Sequence, residues 1–160
     1  MKKLFALAIA TSLIGGLYGL TLSFSGAYQD VTDEYGAGAY FGAKVDAIVS
    51  MLPILKARGY LAEVDFKDPD MTMSFGTFTG SDLLLSIPMP AAIQPYVVAG
   101  ILFIKDDKMV FKGGLGAEMG FGNLYGYLEG NINFISPYEG DGFLPINIMG
   151  GIRIPVKLGF

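Results

Sequence analysis

The feature that most constrains this chain is a two-residue alternation running through its last third. From Leu124 to Phe134, one face carries Leu124, Gly126, Leu128, Gly130, Ile132 and Phe134, and the other Tyr125, Tyr127, Glu129, Asn131 and Asn133. From Ile146 to Phe160, Ile146, Ile148, Gly150, Ile152, Ile154, Val156, Leu158 and Phe160 alternate with Asn147, Met149, Gly151, Arg153, Pro155, Lys157 and Gly159. From Phe111 to Phe121, Phe111, Leu115, Ala117, Met119 and Phe121 alternate with Lys112, Gly114, Gly116, Glu118 and Gly120. Successive side chains of a strand point to opposite faces, so each run has one apolar and one polar side. A strand of about eleven residues tilted by about 45° rises about 25 Å, the apolar height of a membrane crossed by strands.

The same pattern recurs earlier. Leu20, Leu22, Phe24 and Tyr28 alternate with Thr21, Ser23, Ser25 and Gln29. Ala39, Phe41, Ala43, Val45, Ala47 and Val49 alternate with Tyr40, Gly42, Lys44, Asp46 and Ile48. Tyr60, Ala62, Val64 and Phe66 alternate with Leu61, Glu63, Asp65 and Lys67. The stretch from Leu83 to Ile104 has no charge and would pass a hydropathy test for a membrane helix. Pro88, Pro90 and Pro95 exclude a helix there, because each removes a donor and clashes with the preceding turn. Two strands joined by a tight turn at 89–92 are expected instead. The expected fold is therefore all-β: an eight-stranded antiparallel up-and-down barrel with strands near 20–29, 36–50, 57–67, 72–88, 93–105, 109–121, 124–135 and 145–160. An even strand count is the rule for single-chain bacterial membrane barrels.

The first residues read differently. Met1-Lys2-Lys3 is a positive start, Leu4 to Ile14 is apolar apart from Thr11 and Ser12, and Gly15, Gly16 and Gly19 follow. That layout predicts a cleaved secretory signal peptide over 1–19 and a barrel domain over 20–160. The chain is 52% hydrophobic and only 16% charged, an unusual balance for a soluble domain. It has no cysteine, so an exported form takes no stability from disulfides. The net charge of −4 gives no sign of nucleic-acid binding.

Three segments carry a resemblance. The ending Gly151-Ile-Arg-Ile-Pro-Val-Lys-Leu-Gly-Phe160 resembles the last strand of bacterial outer-membrane proteins. Pro95-Tyr-Val-Val-Ala-Gly100 is similar to the "PY-x-x-x-G" strand of small outer-membrane barrels, and Gly113-Gly-Leu-Gly-Ala-Glu118 to their "G-x-G-x-E" strand. The family is that of the OmpA membrane domain and the OmpX-like eight-stranded barrels. The resemblance is strongest over 93–160 and looser over 29–92. It implies an integral outer-membrane location, outer-membrane lipid as surroundings, and recognition of Ile152, Ile154, Val156, Leu158 and terminal Phe160 by the barrel assembly machinery. Pro155 departs from the pattern and raises the expectation of a bulge or unusual junction in the last strand.

If the apolar face meets lipid, Lys44, Asp46, Glu63, Asp65, Lys67, Lys112, Glu118, Glu129, Arg153 and Lys157 face the interior or its rim. Eight strands enclose only enough space for side chains, and buried charges must pair. Equal numbers of each sign predict an internal ion-pair plug; a selective pore would favour a single sign. Arg153 is expected to meet Glu118 or Glu129. A second acidic set falls in the expected extracellular connections: Asp30, Asp33, Glu34, Asp68, Asp70, Asp106, Asp107, Glu139 and Asp141. It has no EF-hand spacing, and no metal site or cofactor is expected. With no His and no Cys, Ser–His and Cys–His nucleophilic sites are excluded and an enzyme is not expected. A Glu118–Glu129 pair for glycoside chemistry would sit in a lumen too narrow for a sugar. The expected role is structural or interaction-based. The alternatives are a small channel, or a soluble lipocalin-like ligand-binding barrel, which would need apolar residues inside and charges outside.

Overall fold

The computed structural model describes residues 19–30, 40–66, 73–75, 80–103, 109–136 and 146–156. They form β1 (Leu20–Asp30), β2 (Tyr40–Ser50), β3 (Leu55–Asp65), β4 (Met73–Phe75), β5 (Gly80–Ser86), β6 (Ile93–Phe103), β7 (Met109–Phe121), β8 (Leu124–Ser136) and β9 (Ile146–Val156). Sequential strands pair antiparallel. The sheet closes because β1 pairs with both β2 and β9 while β2 also pairs with β3. The closed ring contains eight strands. Segment β4 pairs with the upper part of β3 (Ala62 to Val64) and β5 with its lower part (Leu55 to Gly59), so the expected single strand over 72–88 is two segments along one wall. Residues 1–18 of the expected signal peptide, the acidic connections beyond Asp30, and Lys67, Lys157, Leu158 and Phe160 lie outside the described residues.

The stagger of the barrel follows from its registers. Leu20 pairs with Val49, Val49 with Ala57, Ala57 with Leu83, and Leu83 with Ala99. Ala99 pairs with Gly113, Gly113 with Ile132, Ile132 with Ile146, and Ile146 returns to β1 at Asp30. One circuit therefore climbs ten residues along β1. Such a shear forces the strands to tilt by about 40° from the barrel axis.

One bulge breaks the regular pairing. Val45 faces Ala62, but Asp46 faces Tyr60, so Leu61 is the extra residue on β3. A bulge reverses the alternation on either side of itself. Glu63 and Asp65 remain on the inward side as expected. Below Leu61 the inward residues become Tyr60 and Arg58, and Tyr60, read from the sequence as outward, is corrected. Strand β3 also starts earlier than expected, taking in Lys56, which the sequence reading placed in a turn. Pro155 causes no register shift against β1, where it faces Thr21. The β8–β9 ladder ends at Arg153, so the missing N–H of Pro155 falls beyond the residues that β8 pairs.

Three short connections gather at one end of the barrel: 51–54, 87–92 and 122–123. Gly122 takes a left-handed φ of 62°, which permits the two-residue turn between Phe121 and Leu124. We call this the turn end and the opposite one the loop end.

The barrel is inside-out relative to a soluble one. Leu115 and Leu128 are 67% and 64% exposed, and Ile132, Phe134, Ile146, Ile148 and Ile152 share their outer surface. Ser23, Asp46, Arg58, Asp82, Glu129, Asn131 and Arg153 are buried inside. A lipocalin-like barrel requires the reverse, so that reading falls. The apolar core is small: Ile48, Leu84, Tyr96 and Val98 form one buried cluster, and Ala27, Tyr127 and Met149 another.

Candidate functional site: the charged interior

The interior is organised around Arg58, a guanidinium with no exposure to solvent. Its Nε and Nη2 donate to Asp82 Oδ2 at 2.8 and 2.5 Å. Its Nη1 and Nη2 donate to the two oxygens of Glu129 at 2.8 and 2.7 Å. The planar fork of arginine suits this arrangement, a bidentate pair with Glu129 and two bonds converging on one oxygen of Asp82, which a lysine ammonium cannot reproduce. Strand β8 lies four positions from β3 in a ring of eight, so the Arg58–Glu129 contact spans the full width of the lumen.

Each carboxylate has further donors. Lys112 Nζ reaches Asp82 at 2.7 Å and also contacts the Tyr60 hydroxyl, which donates to Asp82 at 2.9 Å. Glu129 accepts from the Tyr96 hydroxyl at 3.0 Å and from Asn131 Nδ2 at 2.7 Å. A second cluster lies toward the turn end. Glu118 accepts from Arg153 Nη1 at 2.5 Å and from Lys56 Nζ at 2.7 Å. Arg153 Nη2 also donates to the Tyr96 hydroxyl at 2.9 Å, so Tyr96 joins the two clusters. The Arg153 guanidinium lies 4.8 Å from the Tyr96 ring centre and 4.0 Å from that of Tyr127. Cation–π attraction strengthens in a desolvated site, and Arg is the cation best shaped for it.

The structure places the sequence-identified residues as follows. Lys112, Glu118, Glu129 and Arg153 meet in the interior, and Arg153 contacts Glu118 closely and Glu129 at 3.8 Å. Lys44 and Glu63 pair separately at 3.3 Å, with Glu63 partly exposed. Asp65 is half-buried near the end of β3. Asp46 is fully buried, but neither of its oxygens receives a hydrogen bond from the described residues, so it does not join the network directly. Of the terminal alternation, Ile152 is exposed on the outside, and Ile154 and Val156 are half-exposed.

Three charged members were missed by sequence reasoning: Arg58, Asp82 and Lys56. Arg58 was hidden by the bulge. Asp82 lies in a strand with leucines on both faces, because Leu84 fills the lumen beside it. Lys56 fell at the edge of a connection.

The glycine motifs gain a physical meaning here. A Cβ on Gly116 would overlap the Tyr96 ring, and one on Gly100 would overlap the Asp82 carboxylate. The "PY-x-x-x-G" and "G-x-G-x-E" segments thus interlock: the tyrosine of one occupies the space vacated by a glycine of the other.

An apolar exterior, a sheet closed on itself and a charged interior define an eight-stranded transmembrane β-barrel. Solved structures agree at the level of fold. The chain is similar to Neisserial surface protein A (NspA), with a TM-score of 0.59 at 12% identity, over 87% of this chain and 98% of that one. It is also similar to the de novo designed protein TMB2.3, with a TM-score of 0.50 at 13% identity, over 90% of this chain and 98% of that one. No protein-family profile matches the chain, and neither does any curated protein.

Proposed function

We propose that this protein is an integral outer-membrane barrel whose lumen is closed by its own ion pairs, and whose role is structural or carried by its outer surface and loops. The observation that carries this reading is the Arg58–Glu129 bridge, which crosses the lumen between opposite walls with both side chains buried. Arg58 leaves little room for a continuous water column at its level, and the Lys56–Glu118–Arg153 cluster obstructs the next level down. A lumen lined by paired charges of both signs also lacks the single-sign ring that selects ions. Both catalytic-type carboxylates, Glu118 and Glu129, are held by guanidinium groups, which disfavours an acid–base role.

The outer-membrane location, the cleaved leader over 1–19 and recognition of the Phe160 terminus belong to the same proposal. They draw on the basic and apolar layout of the first residues, the terminal alternation and the inside-out exterior. Conductance in planar bilayers tests the plug. The wild type is expected to give small or flickering currents, and Arg153→Ala and Arg58→Ala larger ones. A large, steady wild-type conductance would overturn the plug in favour of a channel.

A further inference from the structure

The apolar exterior does not stop where the strands end at one sector of the turn end. Met51, Leu52 and Ile54 in the β2–β3 turn are exposed, as are Ile87 and Met89 in the β5–β6 turn and Ile93 at its exit. Their apolar surface continues that of Leu83, Leu85 and Val97 on the strands above without an intervening charge. An open cleft of about 340 Å³ separates the two turns, walled by Pro53, Ile54, Pro88, Met89 and Pro90, with Ser86 and Gln94 as its uncharged polar members. Lys56, the first charge after the β2–β3 turn, reaches Glu118 at 2.7 Å.

Elsewhere among the described residues the rim is built differently. At the loop end, Tyr28, Phe41, Phe66, Phe111 and Phe134 are all exposed, an aromatic girdle of the kind that marks a membrane–water interface. At the turn end, Phe121 and Tyr125 flank the polar Gly122–Asn123 turn. Among the described residues, the 51–54 and 87–92 turns have neither aromatic nor charged side chains. Their backbones are also suited to a dry environment. Of the seven N–H groups in these two turns, those of Met51, Leu52, Ile87 and Ala91 donate to backbone carbonyls, and Pro53, Pro88 and Pro90 have no donor to satisfy. Unpaired donors are what normally keep a turn out of hydrocarbon.

We infer that the 51–54 and 87–92 turns are seated in lipid, so that acyl chains cover the turn end of the barrel over this sector while the Gly122–Asn123 turn stays in water. The inference rests on the membrane-barrel reading, and lipid is the favoured occupant because the surface is continuous with the lipid-facing belt. The chain has no tryptophan, so single indoles report cleanly. Leu52→Trp, Met89→Trp, Asn123→Trp and Leu128→Trp, each in the full chain refolded into phosphatidylcholine vesicles, are compared in emission, iodide quenching and quenching by brominated phosphatidylcholine. Leu52→Trp and Met89→Trp are expected to lose fluorescence to the brominated lipid as Leu128→Trp does, and to resist iodide. Asn123→Trp is expected to emit further to the red and to be quenched by iodide. Iodide access at Leu52→Trp and Met89→Trp equal to that at Asn123→Trp would overturn the inference while leaving the barrel in the membrane. Resistance to both quenchers would overturn it in favour of cover by a second copy. If Leu128→Trp itself escapes the brominated lipid, the membrane reading fails and the inference falls with it.

Discussion

Arg58→Ala is the sharpest test of the interior. The substitution removes four hydrogen bonds to carboxylates and the only guanidinium that touches Asp82 and Glu129 together. Neither carboxylate is wholly orphaned: Asp82 keeps Lys112 at 2.7 Å, and Glu129 keeps Tyr96 at 3.0 Å and Asn131 at 2.7 Å. Removing one partner of a buried ion pair costs about 3–5 kcal/mol. The residual donors and any water that enters the vacated space lower this toward about 3 kcal/mol, and the second affected carboxylate raises it again, so about 4 kcal/mol is expected. With a urea dependence of about 2 kcal/mol per molar, the unfolding midpoint in lipid vesicles falls by about 2 M, read by far-ultraviolet circular dichroism. Arg153→Ala costs less than Arg58→Ala, because Glu118 keeps Lys56 at 2.7 Å. Combining Arg58→Met with Glu129→Gln recovers much of the loss, since Asp82 keeps Lys112 as its counterpart and no buried charge is then left alone. A midpoint shift for Arg58→Ala below about 0.5 M would mean that Asp82 and Glu129 are solvated, and the closed-lumen reasoning would fail.

Further outcomes follow from the same geometry. The unboiled protein is expected to migrate differently from the boiled one on SDS gels, because a closed sheet has no free edge for detergent to open; identical migration would count against a stable barrel. Deleting Phe160 is expected to lower outer-membrane levels in cells while sparing refolding in detergent, and equal levels would remove the assembly-signal reading. Gly116→Val is expected to displace the Tyr96 ring and cost about 1–3 kcal/mol as overpacking, read as a lower urea midpoint; an unchanged midpoint would show that the ring has free space.

The parts of this fold that could be read from the chain are those where the period of two runs unbroken. In β8 and β9 the alternation assigns the faces of Glu129, Asn131, Met149 and Arg153, and the structure buries all four. The parts that could not be read have local causes. Parity carried back from Glu63 across Leu61 sends Tyr60 and Arg58 to the lipid side, because a bulge adds one residue that leaves no mark in the pattern. The discrepancy itself was a usable signal, since an arginine at the lipid face near mid-membrane costs about 2–4 kcal/mol. Asp82 was obscured for the opposite reason. Its strand is apolar on both faces because Leu84, with Ile48 and Val98 from neighbouring strands, packs inside the barrel. Composition could not separate an inward leucine from an outward one.

The interior also supplies a specificity that the alternation cannot. A slip of one residue between neighbouring strands would turn every apolar side chain inward, so the lipid alone forbids it. A slip of two residues keeps each face correct and costs the exterior almost nothing. Inside the barrel the same slip is not neutral. Moving β7 by two residues against β6 in the direction that brings Glu118 opposite Tyr96 would take Gly116 away from the ring and put a side chain in its space. Moving β5 against β3 would replace the Asp82–Arg58 match by Leu84 or Gly80 opposite the guanidinium. The ion pairs need not add net stability relative to an apolar filling to be useful here. They make such slipped registers expensive, by leaving a charge unpaired or a ring without space, where the apolar exterior is indifferent.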